Sequence, residues 1–299
     1  MKNLDARLRA EWNALVESEG KSLGLSDCSP FLENKMVNDI FYEGKFKGRD
    51  CIVKCSSKAP DSILNEYALS KRVYATNPSV TPEPLACYAT DDGRMAFIVT
   101  AKAKGLSLTE LLRSGISDDA AASYASDILH LANALSATGV VHRDLFTDNL
   151  LLDADGHIKA IDFQFAIDQN NYCECRWMQR NWKYRYVVFG VNHDLGLGVW
   201  NDAEALVRIL TMLPQVDAVK SAVFRLSKCG KDGSFKAPPG ILCRCAIFFY
   251  AVSLGAQLLL KKDNFKKRDR IRNRLSRIAD LQWTRLHPRK SVVFRFQGE

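Results

Sequence analysis

The sequence predicts an α+β chain with a small strand-bearing first part and a larger helical second part. Two apolar runs, Cys51-Ile52-Val53-Lys54-Cys55 and Ala96-Phe97-Ile98-Val99-Thr100, are rich in β-branched or aromatic residues and read as strands. From Asp118 to Ser136, Ala, Tyr, Ile and Leu recur at helical spacing and Gly139 follows as a stop, the pattern of one long helix. The 299 residues are 47% hydrophobic and 25% charged, which is ample for packed cores in a small and a large lobe.

The remaining elements follow in chain order. Met1 to Trp12 is charged and lacks the apolar centre of a secretory signal, so export by that route is not expected. Leu4, Leu8, Trp12 and Val16 form a helical stripe suited to packing on the body of the protein. After the Lys54 strand, Asn65-Glu66-Tyr67-Ala68-Leu69 opens a helical pattern. The second strand runs into a polar linker, Ala101-Lys102-Ala103-Lys104-Gly105. Leu150-Leu151-Leu152 and Ile158-Lys159-Ala160-Ile161 flank Asp153-Ala154-Asp155-Gly156, the pattern of a short hairpin that would bring Asn149 and Asp162 together. Trp200 to Leu210 reads as a further buried helix with Asp202 in its first turn.

The chemistry is concentrated around that hairpin. Val141-His142-Arg143-Asp144-Leu145-Phe146-Thr147-Asp148-Asn149 places an Asn five residues after an Asp, and Asp162-Phe163 follows thirteen later. One carboxylate to receive a hydroxyl proton and two oxygen ligands for a divalent ion are what phosphoryl transfer from ATP needs, and Asp144, Asn149 and Asp162 supply them. The spacing resembles the catalytic loop and metal-binding segment of the protein-kinase superfamily. That resemblance implies a two-lobed protein-kinase-like fold, ATP and Mg²⁺ as cofactors, Asp144 as catalytic carboxylate, and Asn149 and Asp162 as metal ligands. Ile52-Val53-Lys54 resembles the family's strand lysine motif, which implies that Lys54 holds phosphate oxygens and that Glu66, rather than Glu33 or Glu43, holds Lys54. Residues 101–105 would then be the hinge, with backbone near Ala101 and Ala103 bonding adenine, and Asp202 would anchor the catalytic-loop backbone. The expected organisation is an N-terminal helix and small lobe over 1–100, the hinge over 101–105, and a large lobe over 106–299 ending in basic helices.

The chain also departs from the protein-kinase pattern. Residues 31–48, where a phosphate-covering loop is expected, hold no glycine triplet, and close backbone approach to phosphate loses its usual support. Phe146 stands two after Asp144 where a Lys is usual, Gln164 replaces the Gly after Asp-Phe, and no Ala-Pro-Glu follows. The remaining frame looks like the bacterial kinases of lipopolysaccharide core sugars, heptose or Kdo, which implies such a sugar as the acceptor. An atypical protein or small-molecule kinase and a non-catalytic pseudokinase acting as a binding module are the alternatives.

Charge and composition bound the partners. The net charge is +8 and nine Lys and Arg crowd between Lys261 and Arg277, interleaved with Phe265, Ile271 and Leu275 at helical spacing. Such a basic amphipathic helix suits an anionic lipid or lipopolysaccharide surface, whereas no nucleic-acid-binding fold accompanies the charge. Tyr172, Trp177, Trp182, Tyr184 and Tyr186 alternate with Arg176, Arg180, Lys183 and Arg185, a composition suited to phosphorylated sugars. The apolar run Cys245–Leu260 is bounded by Arg244 and Lys261, short of the roughly 20 residues a membrane span needs. Nine cysteines fit a reducing cytoplasm, and Cys173/Cys175 with Cys243/Cys245 each fall one residue short of the usual zinc spacing. A cytoplasmic protein, peripheral on the inner membrane face, is the expected location.

Overall fold

The computed structural model describes residues 6–31, 39–56, 60–168, 202–229 and 252. The expected two-lobed α+β architecture is present. Helix α1 (Ala6–Leu23) leads into a five-stranded antiparallel sheet made of β1 (Leu25–Phe31), β2 (Asp39–Phe46), β3 (Arg49–Ser56), β4 (Pro84–Ala89) and β5 (Ala96–Ala101), in the order β1-β2-β3-β5-β4. Trp12 and Val16 of α1 pack with Tyr42, Val53, Phe97 and Val99 in the core of this lobe, which accounts for their half of the predicted stripe. Leu4 lies outside the described residues, as does the segment 32–38 between β1 and β2, where the phosphate-covering loop is expected.

Helix α2 (Pro60–Thr76) joins the lobes. It starts before the expected Asn65, because Pro60 in the first turn fits a position whose N–H has no helical partner anyway. Ile63 packs on Ala96 and Ile98 of the sheet, whereas Leu69 and Val73 belong to the core of the second lobe.

That second core is built on α4 (Asp118–Thr138), with α3 (Leu108–Ser114), α5 (Asp202–Leu210) and α6 (Asp217–Cys229). Local sequence sets the ends of these helices. Ser107 and Glu110 form a reciprocal capping box on α3, Ser117 caps α4, and Gly139 closes α4 in the left-handed conformation that few side chains tolerate. Between α4 and α5 lie β6 (Val140–Val141), β7 (Leu150–Leu152), β8 (Ile158–Ala160) and β9 (Ile167–Asp168). The β7–β8 hairpin has Leu150 opposite Ala160, as the sequence pattern requires. Asp127 of α4, almost fully buried, accepts the Ile158 amide at 3.0 Å and faces His157 Nδ1 at 3.0 Å, which fixes the hairpin to the lobe.

One glycine sets how closely the linker approaches this hairpin. A Cβ on Gly105 would meet the Leu152 carbonyl oxygen at 1.6 Å, so any side chain would drive the linker off β7. The Leu152 amide bonds the Leu106 carbonyl at 2.9 Å beside it. Among the described residues no helix is long and apolar enough to cross a membrane. The segments 172–186, 245–260 apart from Val252, and 261–277, with the four cysteines considered for zinc, lie outside the described residues.

Candidate active site

Three charged side chains from distant parts of the chain meet between the lobes. Lys54 sits on β3 opposite Ile98 of β5, so strand pairing fixes its backbone. Its Nζ donates to Glu66 Oε2 at 2.9 Å and to Asp162 Oδ1 at 2.6 Å. The Lys54 and Glu66 side chains are only 8% and 7% exposed and Asp162 21%, so the three charges act in a medium far less screening than water. Burial alone would push the Asp162 carboxyl up, but the Lys54 ammonium and its hydrogen bond hold it below the ordinary carboxylate value. Glu43, the rival considered for Lys54, pairs instead with Lys102, and Glu33 lies outside the described residues.

The loop carrying Asp144 is held from behind. Asp202 of α5 accepts the His142 amide at 2.6 Å and the Arg143 amide at 3.0 Å through its two carboxylate oxygens. Arg143 is buried with φ +68°, a conformation that costs on the order of 1–3 kcal/mol for a non-glycine residue unless its surroundings impose it. The Asp202 bond imposes it at the backbone, and donation from Arg143 Nε to the Phe165 carbonyl fixes the side chain. Burial pushes the Asp202 carboxyl up to about 6, against the two amide bonds and the Arg143 charge, which favour the carboxylate.

His142 has a structural task. The Asp144 amide donates to its Nδ1 at 3.3 Å, so the proton belongs on Nε2, which donates to the Ile161 carbonyl at 3.0 Å. The ring packs on Phe163 with centroids 4.5 Å apart. Full burial lowers the His142 pKa from 6.5 to about 4. The unfolded chain therefore binds more protons between those values, and stability should fall as pH drops through that window, by on the order of 3 kcal/mol. Urea unfolding at pH 7.5 and 4.5 should give a smaller pH effect for His142→Phe than for the unaltered chain. Parallel profiles would mean that His142 is not a buried neutral imidazole.

Asp144 and Asn149 lie across the loop from each other. Asn149 Nδ2 donates to the Asp144 carbonyl at 2.9 Å and to Asp144 Oδ2 at 3.2 Å. Burial, reinforced by the Asp162 charge, raises the Asp144 pKa to about 8, while Asn149 and Lys54 act in the opposite direction. The Ile161 amide bonds the Asn149 carbonyl at 3.0 Å, so the hairpin does bring Asn149 next to Asp162. Asp162 itself has φ +65°, which turns it out of the strand path.

The donor chemistry fits a small, hard cation. Because Asn149 Nδ2 is engaged by Asp144, the amide presents Oδ1 as its acceptor, and the Asp162 carboxylate, which accepts from Lys54 and from the Gln164 amide, is the other oxygen donor of the pair. Among the described residues no three His, Cys, Asp or Glu gather as a metal cluster. Two oxygen donors suit Mg²⁺, which keeps water and phosphate oxygens for its other positions.

In the linker, the Ala101 amide is taken by the Glu83 carbonyl at 2.8 Å and the Lys102 amide by the Asp50 carbonyl at 3.1 Å. Adenine recognition at Ala101 would therefore use its carbonyl, with the Ala103 amide as donor. Lys102 pairs with Glu43 and Lys104 with Asp50 at 2.7 Å, which tie the linker to β2 and β3. Sequence reasoning missed these two pairs, along with the Arg143–Phe165 contact and the contacts of Asn65 and Arg72 with residues 166–168. Nothing in the local pattern distinguishes those side chains from solvated ones, since each partner is remote in sequence or a backbone carbonyl.

Residues 52–186 match the protein kinase domain family, a little under half of the chain. The matched span begins beside Lys54 and includes Glu66, Asp144, Asn149 and Asp162, but not Asp202. A probable cAMP-dependent protein kinase catalytic subunit of Encephalitozoon cuniculi is 31% identical over 110 residues, covering 36% of this chain and 33% of that protein. The cAMP-dependent protein kinase catalytic subunit of Schizosaccharomyces pombe is 36% identical over 86 residues, 27% of this chain and 17% of that one. The serine/threonine-protein kinase AtPK1/AtPK6 of Arabidopsis thaliana is 29% identical over 99 residues, 32% of this chain and 21% of the relative. The chain thus spans a third or less of the length of these relatives.

Proposed function

We propose that the chain is a phosphotransferase that moves the γ-phosphoryl group of ATP to an alcohol oxygen in a reaction dependent on Mg²⁺. The observation that carries this reading is Lys54 held between Glu66 and Asp162 at 2.9 and 2.6 Å, with the Asp144–Asn149 pair on the adjoining loop. In this reading residues 1–100 form the small lobe, 101–105 the hinge, and the rest of the chain the large lobe.

Each residue then has a distinct task. Lys54 places positive charge against phosphate oxygens, and Glu66 keeps the ammonium in register through a buried bond. Asn149 Oδ1 and Asp162 would hold Mg²⁺, which supplies charge neutralisation for the phosphates. Asp144 receives the proton of the acceptor hydroxyl and aims its oxygen. Its raised pKa suits a group that must take up a proton near neutral pH, and the bond from Asn149 orients the carboxylate. Ala101 and Ala103 offer backbone groups to the adenine edge.

For the acceptor, a serine or threonine hydroxyl of a protein has more support than a sugar, because the matched relatives are named as protein kinases. A lipopolysaccharide core sugar, and binding to an anionic membrane surface, rest on the segments 172–186 and 261–277, which lie outside the described residues, and on the identities of Phe146 and Gln164. A purely non-catalytic binding module has least support, since it has no use for the paired Asn149 and Asp162.

Incubation of the purified chain with radiolabelled ATP and Mg²⁺ tests the reading, with a degenerate Ser/Thr peptide library and lipopolysaccharide core offered as separate acceptors. Label is expected in the peptides, dependent on Mg²⁺. Label confined to the glycolipid would transfer the assignment to a sugar kinase, and no label in either would favour the binding module.

A further inference from the structure

Helix α2, which carries Glu66, is fastened to the chain just beyond Asp162 by two side chains. Asn65 Nδ2 donates to the Ala166 carbonyl at 2.8 Å, and Arg72 Nη1 donates to Asp168 Oδ2 at 2.7 Å. Arg72 lies seven positions after Asn65, two helical turns, so both lie on one stripe of α2. From the other side, Arg143 holds the Phe165 carbonyl. Residues 165, 166 and 168 are thereby gripped from both α2 and the catalytic loop.

Arg72 depends on this contact. Its Nε and Nη2 are shut off from solvent without an acceptor, although the side chain as a whole is 37% exposed. Asp168 is the acidic partner that fixes it, through a bond of ordinary length to a carboxylate 23% exposed.

The sequence adds a second observation. From Asp148 to Leu210 there is no serine and no threonine. A phosphate added to such a residue is a common means of bringing charge to an arginine and so ordering the segment that positions a Lys–Glu pair. Here no serine or threonine can carry it and Tyr172, Tyr184 and Tyr186 are the hydroxyls that remain between Asp162 and α5, while Asp168 already places a permanent carboxylate on Arg72.

We propose that Arg72 and Asp168, backed by Asn65, form a built-in lock that keeps α2 against the Asp162 segment, so that Glu66 stays on Lys54 without phosphorylation of the chain between Asp162 and α5. The inference rests on the phosphotransferase reading above. Arg72, Asp168 and Asn65 are positioning residues, acting on phosphate transfer through Glu66 and Lys54. Loosening the lock lets α2 swing away, which removes the acceptor that holds the Lys54 ammonium in register.

The test combines kinetics with amide exchange on the full chain. Asp168→Asn should lower kcat about tenfold with little change in the KM of the peptide acceptor. Glu66→Gln should lower it by a similar or larger factor, and the double variant should lose less than twofold beyond Glu66→Gln alone, because both act on one contact. Arg72→Asp combined with Asp168→Arg should recover at least a third of the lost rate. Treatment of the unaltered chain with a nonspecific phosphatase should leave kcat within twofold. Amide exchange over residues 63–73 should accelerate in Asp168→Asn, a readout that stands even if no transferase activity is found, so the lock and the transferase reading can fail separately. Multiplicative losses in the double variant, a tenfold loss on phosphatase treatment, or unchanged exchange in α2 would each overturn the lock. Arg72→Lys, which keeps the charge but loses the fixed fork, serves the same comparisons should Asp168→Asn fail to fold.

Discussion

Asp144→Asn should lower the turnover number by roughly 10²- to 10⁴-fold, the usual contribution of a positioned acid–base group, while the melting temperature moves by no more than a few degrees. The two effects separate because Asp144 has two relationships with the loop. Its side chain and its carbonyl both accept from Asn149 Nδ2, and asparagine keeps an oxygen that can accept the same bond. Only the ability to take up a proton is lost. The pH profile gives an independent signature: burial and the Asp162 charge raise the Asp144 pKa to about 8 in the free chain, so kcat/KM should climb with pH as that carboxyl ionises. A cation bound nearby favours the carboxylate, so the rise in kcat should fall at lower pH than the rise in kcat/KM. In Asp144→Asn the rise should vanish from both. A variant that keeps most of its turnover, or the same acidic limb, would show that another group receives the proton.

Much of this site can be read from the sequence because its chemistry is local in spacing. Asp144, Asn149 and Asp162 lie within nineteen residues on a loop and a hairpin whose turn residues announce the geometry, and the hairpin then places Asn149 beside Asp162. Lys54 is legible only through its resemblance to the family's strand lysine together with the downstream motifs, since a lone lysine on a strand is usually a solvated side chain. The contacts that hold these residues in place are not legible in the same way. Asp202 meets the His142 and Arg143 amides across some sixty positions; the family resemblance names it as the anchor, but the residues alone show only a helix-starting aspartate, which is common. Glu66 could be favoured over Glu43 only by helical pattern, and the decision came from packing: Ile63 anchors α2 on the sheet, and Lys102 reaches Glu43 first. Helix α2 begins five residues before Asn65, where the helical pattern opens in the sequence, with Pro60 as a first-turn residue. Arg72 and Asn65 carried no signal at all, for an arginine and an asparagine on a helix surface look solvated until their partners are known.

Asp162→Ala should abolish the metal dependence of ATP binding, and with it turnover. In the free chain Lys54 is shared by two carboxylates, 2.9 Å from Glu66 and 2.6 Å from Asp162, so the triad carries a net negative charge in a poorly screened place. A triphosphate approaching it alone meets that negative charge, and the two oxygen donors of Asn149 and Asp162 become favourable only with a cation between them and the phosphates. Removing Asp162 leaves a neutral Lys54–Glu66 pair. Metal-free ATP should then bind no more weakly than to the unaltered chain, because a repelling carboxylate is gone, whereas affinity in the presence of Mg²⁺ should fall, because the cation loses one of its two protein oxygen donors. Calorimetry with Mg²⁺ and with EDTA measures both arms on the same preparations. Asp162→Asn, which retains the side-chain volume and one oxygen near Lys54, should show the same change in sign more mildly and guards against misfolding of the alanine variant. Loss of affinity equal in both arms would mean that Asp162 serves the nucleotide through Lys54 alone, and an unchanged Mg²⁺ effect would remove Asp162 from the metal site altogether.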